Sequence, residues 1–400
     1  MAVESGPLFG TAAELTQFAQ IFFGSLIVAL LYFVIRHFKG GIALPGSLRY
    51  DWTVLGLALW CFAGLSIDAW GHKHGAVDES FFTPWHAIWY SGFTAYASYI
   101  VWALWRLHDG PIPKSLTSLK QFFGNMPKGY NVGVIGMLLF MVSGFGDMLW
   151  HAFLGLEGGL DILLSPTHLG LAAGLVLSLI VPVMTAWHSP GSGKTLAGQM
   201  PVLFGLGATW GVFILFTSYT HHQVMPFGDL CANLNSCDKG NFGLENGVTA
   251  ILLQSVILNA LIFFFIKRWK PVMGTFTILL TVNSISIAAN APGELSKAWQ
   301  HLLAPILAGI LIDIAYFGYG NRTRLFAFCV PAIHCIVWML VLVVRGGFQV
   351  ANVNGDLVMS PLGWSVHATI GAIFLAGSAG LLTSFLTHPP NIPGSAFDDD

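Results

Sequence analysis

The sequence predicts an all-α polytopic transmembrane helical bundle of about eleven spans, arranged as one helix followed by five hairpins. Three observations predict it. Apolar residues make up 55% of the 400-residue chain and charged residues only 9%, against about 25% charged in soluble domains. The mean hydropathy is +0.70. Stretches of about 20 apolar residues, the length a helix needs to cross about 30 Å of hydrocarbon, recur along the whole chain between charges, glycines and prolines.

A short N-terminal tail, 1–14, precedes the first apolar run at 15–36. That run is too long for a secretory leader. It lacks a basic segment before it and a small-residue cleavage site after it, so a retained span is expected. Further spans are expected at 53–71, 83–107, 130–152, 164–187, 199–220, 245–267, 272–291, 299–319, 322–345 and 361–386. Residues 15–190 form the part with a duplicated motif, 191–387 carry further membrane helices with degenerate repeats, and 388–400 read as a disordered tail ending in three aspartates. The stretch Lys114–Lys128, with Leu116, Leu119, Phe122 and Phe123 among lysines, reads as a short amphipathic helix in the inner interface.

Basic residues set the expected orientation. Thirteen of the 17 Lys and Arg fall in loops after odd-numbered spans, leaving Lys73, Lys239, Lys297 and Arg345 on the other side. The positive-inside rule then puts the N-terminus outside and the C-terminus in the cytoplasm. The expected location is the cytoplasmic membrane, or its internal folds, of a bacterium or archaeon. A net charge of −2 argues against nucleic acid as a partner. Cys61, Cys329 and Cys335 fall in apolar helices as core residues, whereas Cys231 and Cys237 share an outer loop that could close a disulfide.

The motif that occurs twice lies at the outer ends of the first two hairpins. Asp68-x-x-x-His72 ends one helix, and Thr83-Pro84-Trp85-His86 opens the next. Asp147-x-x-x-His151 and Ser165-Pro166-Thr167-His168 repeat the arrangement. Residues four apart share one helix face, and proline tolerates the first turn of the following helix because no N–H is needed there. Each copy thus brings a carboxylate and two imidazoles together, the donor set of a facial metal triad. A lone histidine at a helix end is ordinarily an interfacial residue, and Asp–His hydrogen bonds that staple helix ends are the structural alternative. The repetition favours ligands: Asp68, His72 and His86 for one metal, and Asp147, His151 and His168 for a second, or both sets for one cluster.

Other polar groups are weaker candidates. His74 stands two residues past His72 and faces away if the helix continues. Asp78, Glu79 and Glu157 lie in the connecting loops, and Trp70, Trp85, Trp89 and Trp150 fit an interfacial belt. Asp313 and His334 lie deeper, where ionisable groups are costly, and are expected to be functional or to pair with each other. The third to fifth hairpins, with His221, His222, His301 and His367, keep only fragments of the pattern. Nitrogen and carboxylate donors suit copper, zinc or iron, with copper first by affinity.

At these residues the sequence resembles the C subunit of the copper membrane monooxygenases, the particulate methane and ammonia monooxygenases. The resemblance rests on Asp68, His72 and His86, on Asp147, His151 and His168, and on the phrase Asp78-Glu79-Ser80-Phe81-Phe82-Thr83-Pro84-Trp85-His86, and covers roughly residues 15–190. It implies a copper centre in the membrane, O2 activation, and oxidation of a small substrate such as a hydrocarbon or ammonia. Membrane lipids, additional membrane subunits and an external electron donor are the implied partners. The loops between the histidines hold 13 and 16 residues, so the second copy is looser. A zinc-dependent intramembrane hydrolase, with Glu79 as general base, is the first alternative, since three protein ligands and a water is the catalytic zinc pattern. A metal transporter or sensor, or a bis-histidine haem carrier, is the second.

Overall fold

The computed structural model describes residues 11–40, 43, 47–73, 81–107, 117, 120, 121, 124, 126–154, 161–189, 193–225, 242–291, 299–351, 357–360 and 363–389. The predicted all-α bundle is what is found: every apolar run becomes a helix. In the first half these are α1 (Ala12–Phe38), α2 (Leu48–Lys73), α3 (Pro84–Leu107), α4 (Tyr130–Leu154), α5 (Pro166–Leu179), α6 (Val181–His188) and α7 (Leu196–Phe216). Then follow α8 (Phe242–Arg268), α9 (Thr275–Asn290), α10 (Trp299–Tyr319), α11 (Thr323–Arg345) and α12 (Val366–Thr387). The fifth expected span is α5 and α6 together, broken where Pro182 follows Ile180 and Val181 and offers no N–H to the preceding turn.

Among the described residues nine helices are long and apolar enough to cross a membrane. Of the remaining two long ones, α3 is diluted by its tryptophans and tyrosines, and α9 has only 16 residues, about 24 Å of rise. Large apolar side chains stand exposed on these helices, among them Val28 and Leu30 of α1 and Phe374 and Leu386 of α12, all more than 60% accessible. Apolar surface on this scale is stable against lipid and not against water. The chain is an integral membrane protein.

Helix starts follow local chemistry. Thr11 and Glu14 cap α1 reciprocally, the Thr11 hydroxyl accepting from the Glu14 N–H at 3.3 Å and the Thr11 N–H donating to Glu14 Oε2 at 2.6 Å. Helix α1 therefore begins at Ala12, inside the tail assigned to 1–14.

Contacts divide the chain into two compact units, residues 1–216 and 217–400. In the first, α2 packs on α3 and α4 on α5, each pair a tight hairpin, while α1 lies on α3 and α7 on α2. The two hairpins cross in the same way. A Cβ added to Gly92 would meet the Cys61 backbone nitrogen at 2.7 Å, and one added to Gly174 would meet the Phe140 nitrogen at 2.7 Å. Each glycine lies six residues after the motif histidine, and each partner seven before the motif aspartate. The sequence duplication is thus a duplication of helix packing, with glycine permitting backbone contact. At the other end of α2, Asp51 accepts hydrogen bonds from Tyr130 at 2.9 Å and Thr185 at 3.3 Å, joining α2 to α4 and α6.

In the second unit α9 packs on α10, α11 on α12 and α10, and α8 on α12. A two-stranded antiparallel hairpin, β1 (Phe348–Ala351) and β2 (Leu357–Ser360), precedes α12. The hairpin ends just before the expected last span of 361–386, whose helix begins at Val366, where the Ser365 hydroxyl caps it by accepting from the Ala368 N–H at 3.1 Å. Asp313 and His334 do not pair. The Asp313 carboxylate accepts from the Phe276 and Thr277 N–H groups at 3.1 and 2.9 Å and from the Thr277 hydroxyl at 2.6 Å. It satisfies the free donors at the start of α9 from a neighbouring helix, a use that explains a buried carboxylate without chemistry. The sequence reading overlooked this because Asp313 sits mid-span in its own helix. The assignments to Cys231, Cys237, His74, Asp78, Glu79, Glu157, most of Lys114–Lys128 and the C-terminal tail lie outside the described residues.

Candidate metal centre

The two copies of the motif build the same half-site. In each hairpin a hydroxyl residue caps the second helix: Thr83 accepts from the His86 N–H at 3.2 Å, and Ser165 from the His168 N–H at 3.3 Å. This places both histidines at the third helical position, aimed back across the helix pair. The rings are oriented by backbone. His86 Nδ1 lies 2.7 Å from the Phe81 carbonyl oxygen, and His168 Nδ1 lies 2.5 Å from the Ile162 carbonyl oxygen. A carbonyl only accepts, so Nδ1 carries the proton in both.

The other ring nitrogen then faces a carboxylate. His86 Nε2 is 3.5 Å from Asp68 Oδ1, and His168 Nε2 is 3.2 Å from Asp147 Oδ1. In a neutral imidazole protonated at Nδ1, Nε2 presents a lone pair, and a lone pair does not hydrogen-bond a carboxylate oxygen. The arrangement calls for a cation between the two atoms, either a second proton or a metal. Backbone carbonyls holding Nδ1–H while Nε2 faces the ion is the usual outer-shell pattern of histidine ligands.

The second half-site is complete among the described residues. His151, one turn after Asp147 on α4, brings Nε2 to 3.6 Å from Asp147 Oδ1, and its ring centroid is 5.6 Å from that of His168. One ligand atom from each of Asp147, His151 and His168 lies within 4.8 Å of the others. Asp147 is wholly buried, its Oδ1 accepts from the Thr167 hydroxyl at 2.8 Å, and its Oδ2 has no hydrogen-bond partner. The two histidine side chains are slightly accessible, 9% and 14%, so the open side of the set is theirs. In the first half-site Asp68 and His86 are both buried and together. His72 continues α2 one turn after Asp68, and its side chain lies outside the described residues.

The half-sites adjoin. The Phe81 ring lies 4.9 Å from His86 and 6.3 Å from His151, and 5.4 Å from Tyr90. Tyr90 packs edge-on to His86, and its buried hydroxyl is within electrostatic reach of both Asp147 and Asp68. Trp89 and Phe140 close the inner side against Tyr90. The sequence reading named the aspartates and histidines but not Thr167, Tyr90 or the two carbonyls. Thr167 stands next to the motif histidine and was legible as a donor, whereas Tyr90 and the carbonyls depend on how helices cross.

No family model, curated protein or solved structure matches this chain. The fold and site by themselves define a polytopic helical membrane protein with a duplicated Asp–His hairpin and a preformed Asp–His–His set.

Proposed function

We propose that the first unit binds copper through Asp147, His151 and His168 and through Asp68, His72 and His86, and works as an O2-using monooxygenase, or a subunit of one, on a small apolar substrate. The observation that carries this is the pair of Nε2 lone pairs turned on buried carboxylates, fixed by carbonyl-bound Nδ1–H groups in two equivalent places. Two imidazoles and a carboxylate suit copper above the other first-row ions by affinity. A three-ligand set leaves positions open for O2, whose activation is the chemistry copper supplies.

The protein's own part is to fix and shield. Asp147 neutralises charge, Thr167 holds that carboxylate, and Phe81, Tyr90 and Trp89 keep water from the reacting face. Placing one oxygen atom of O2 in the substrate and reducing the other to water takes two electrons, so an external donor is required. The sequence resemblance supports the reaction class, and the charge pattern supports a site near the outer face of a cytoplasmic membrane. The same Asp–His–His set with an open position is also that of catalytic zinc, which is the second reading.

Elemental analysis of the full-length protein in mild detergent, with both ions supplied, separates these. One or two coppers per chain, lost when Asp147 and His168 are replaced by alanine, and O2-dependent oxidation that goes with them, support the proposal. Zinc in their place, with hydrolysis that needs no O2, overturns the copper reading. Metal content unaffected by the substitutions removes the site.

A further inference from the structure

At the end of the first unit away from the Asp–His motifs, the last two turns of α1 and the first turns of α2 bound a cavity of about 160 Å³, with the buried Tyr99 of α3 as its inner wall. That is many times the room one water molecule needs. Tyr32 and Arg36 stand four apart on α1, and Arg49 and Thr53 four apart on α2, so each pair shares the helix face that lines the cavity. Arg49 is also within electrostatic reach of the Tyr99 hydroxyl. Two arginines from different helices thus border one small space, and among the described residues lining it there is no carboxylate. Asp51, in the same turn as Arg49, is engaged towards α4 and α6 by Tyr130 and Thr185.

The walls are fixed and the charge is uncompensated by the helices. The Tyr99 hydroxyl donates to the Ala43 carbonyl at 3.2 Å and the Thr53 hydroxyl to the Arg49 carbonyl at 2.9 Å. Both hydroxyl protons are spent on backbone, which leaves the guanidinium groups as the charged donors to an occupant. Phe33 and Tyr50 stack on the Tyr99 ring at 5.1 and 5.3 Å. Arg36, in the last turn of α1, suits the negative end of that helix. Arg49 is the second residue of α2, at the positive end, where a cation is disfavoured. Helix dipoles therefore account for one arginine and oppose the other, and an anion between them answers both. The surroundings place that anion at headgroup level. Tyr32 is 54% and Trp52 36% accessible, as in an interfacial belt, and Leu31 and Ile35 beside them are more than 50% accessible on a lipid-facing surface.

We infer that this cavity binds the phosphate of an anionic phospholipid between Arg36 and Arg49, with the acyl chains along the exposed Leu31 and Ile35 face of α1. Guanidinium forks match phosphate oxygens in pairs, with charge-assisted hydrogen bonds. Charge selects the lipid: a zwitterionic headgroup brings an ammonium to two guanidinium groups, whereas phosphatidylglycerol brings none. The bound phosphate has a structural consequence. Helix α1 has no buried residue and packs on α3, so a phosphate shared by Arg36 and Arg49 ties it to α2 as well. This site does not depend on the metal reading above.

The test is native mass spectrometry of the delipidated full-length protein in mild detergent. It is titrated with phosphatidylglycerol or with phosphatidylcholine of the same chains, and glycerol phosphate serves as the soluble competitor. The tightest-bound lipid is expected to be phosphatidylglycerol, and glycerol phosphate is expected not to displace it. Arg36→Gln and Arg49→Gln are each expected to weaken its binding about 10-fold. Lys39→Gln, three residues from Arg36 and outside the lining, should bind as the unaltered protein does. Equal binding of the two lipids, unchanged binding in either folded arginine variant, or an equal loss in Lys39→Gln overturns the inference. Displacement by equimolar glycerol phosphate makes the occupant a soluble anion and overturns the lipid assignment. Should neither arginine variant fold, the unaltered protein decides: no preference for phosphatidylglycerol overturns the inference.

Discussion

Asp147→Asn separates a metal ligand from a structural staple. The substitution keeps volume and shape and removes one charge. Asp147 Oδ1 gathers three groups: the Thr167 hydroxyl at 2.8 Å, His168 Nε2 at 3.2 Å and His151 Nε2 at 3.6 Å. If the carboxylate exists to hold a protonated His168 across the hairpin, one charge-assisted hydrogen bond is at stake, since 3.6 Å is too long to count as another. Its loss costs about 1.5–3 kcal/mol in the metal-free protein. If His168 is neutral and Nε2 awaits a metal, the consequence reverses. With its amide nitrogen in the place of Oδ1, the asparagine then donates to the bare Nε2, the Thr167 hydroxyl turns to accept from the same NH2 group, and a desolvated charge disappears. Metal-free stability then holds or rises, by about 1 kcal/mol for the hydrogen bond gained. Metal affinity falls at least 100-fold, about 2.7 kcal/mol, because the anionic donor is gone. Thermal unfolding of chelator-treated protein, beside metal content of the loaded protein, reads both. A variant that keeps its metal and loses 2 kcal/mol or more of metal-free stability refutes the ligand assignment.

Further outcomes follow from the same geometry. Thr167→Val removes the 2.8 Å bond to Asp147 and is expected to weaken metal binding about 10-fold; unchanged affinity in a chelator competition would mean that the hydroxyl does not orient the carboxylate. Gly174→Ala sets a methyl group 2.7 Å from the Phe140 nitrogen, so α4 and α5 must separate. A loss of about 1–3 kcal/mol together with weaker metal binding is expected on thermal unfolding and titration, and Gly92→Ala should reproduce it in the first hairpin. A silent result at either position would deny the close crossing. Tyr90→Phe removes a buried hydroxyl that makes no full hydrogen bond, so the fold and the metal content should both survive; metal lost with the hydroxyl would make Tyr90 a ligand.

The legible part of this molecule is what periodic hydrophobicity and local spacing control. Apolar runs bounded by charge gave the helices, because a helix in lipid needs only length and composition. Asp147 and His151 were bound to share a face, and Pro166 after Ser165 marked a capped helix start whose third residue points back at its neighbour. Departures came where a residue's use lies on another helix. Asp313 caps α9 from α10, so no pattern around position 313 announces it. Gly92 and Gly174 carry the hairpin crossings, yet each is one glycine among 46, and only their equal offset from His86 and His168 marks them. The packing of His221, His222 and His334 in the second unit escaped for the same reason. His221 and His222 were read as remnants of a fading repeat, whereas burial brings them to His334, more than a hundred residues later.

The central claim is that the duplicated Asp–His hairpins of the first unit hold copper. Elemental analysis of the full-length protein tests it most directly, before and after replacing Asp68, Asp147 and His168 by alanine. The account predicts one or two coppers per chain in the first sample and none in the second. Equal copper in both samples, or none in either after copper loading, would contradict it.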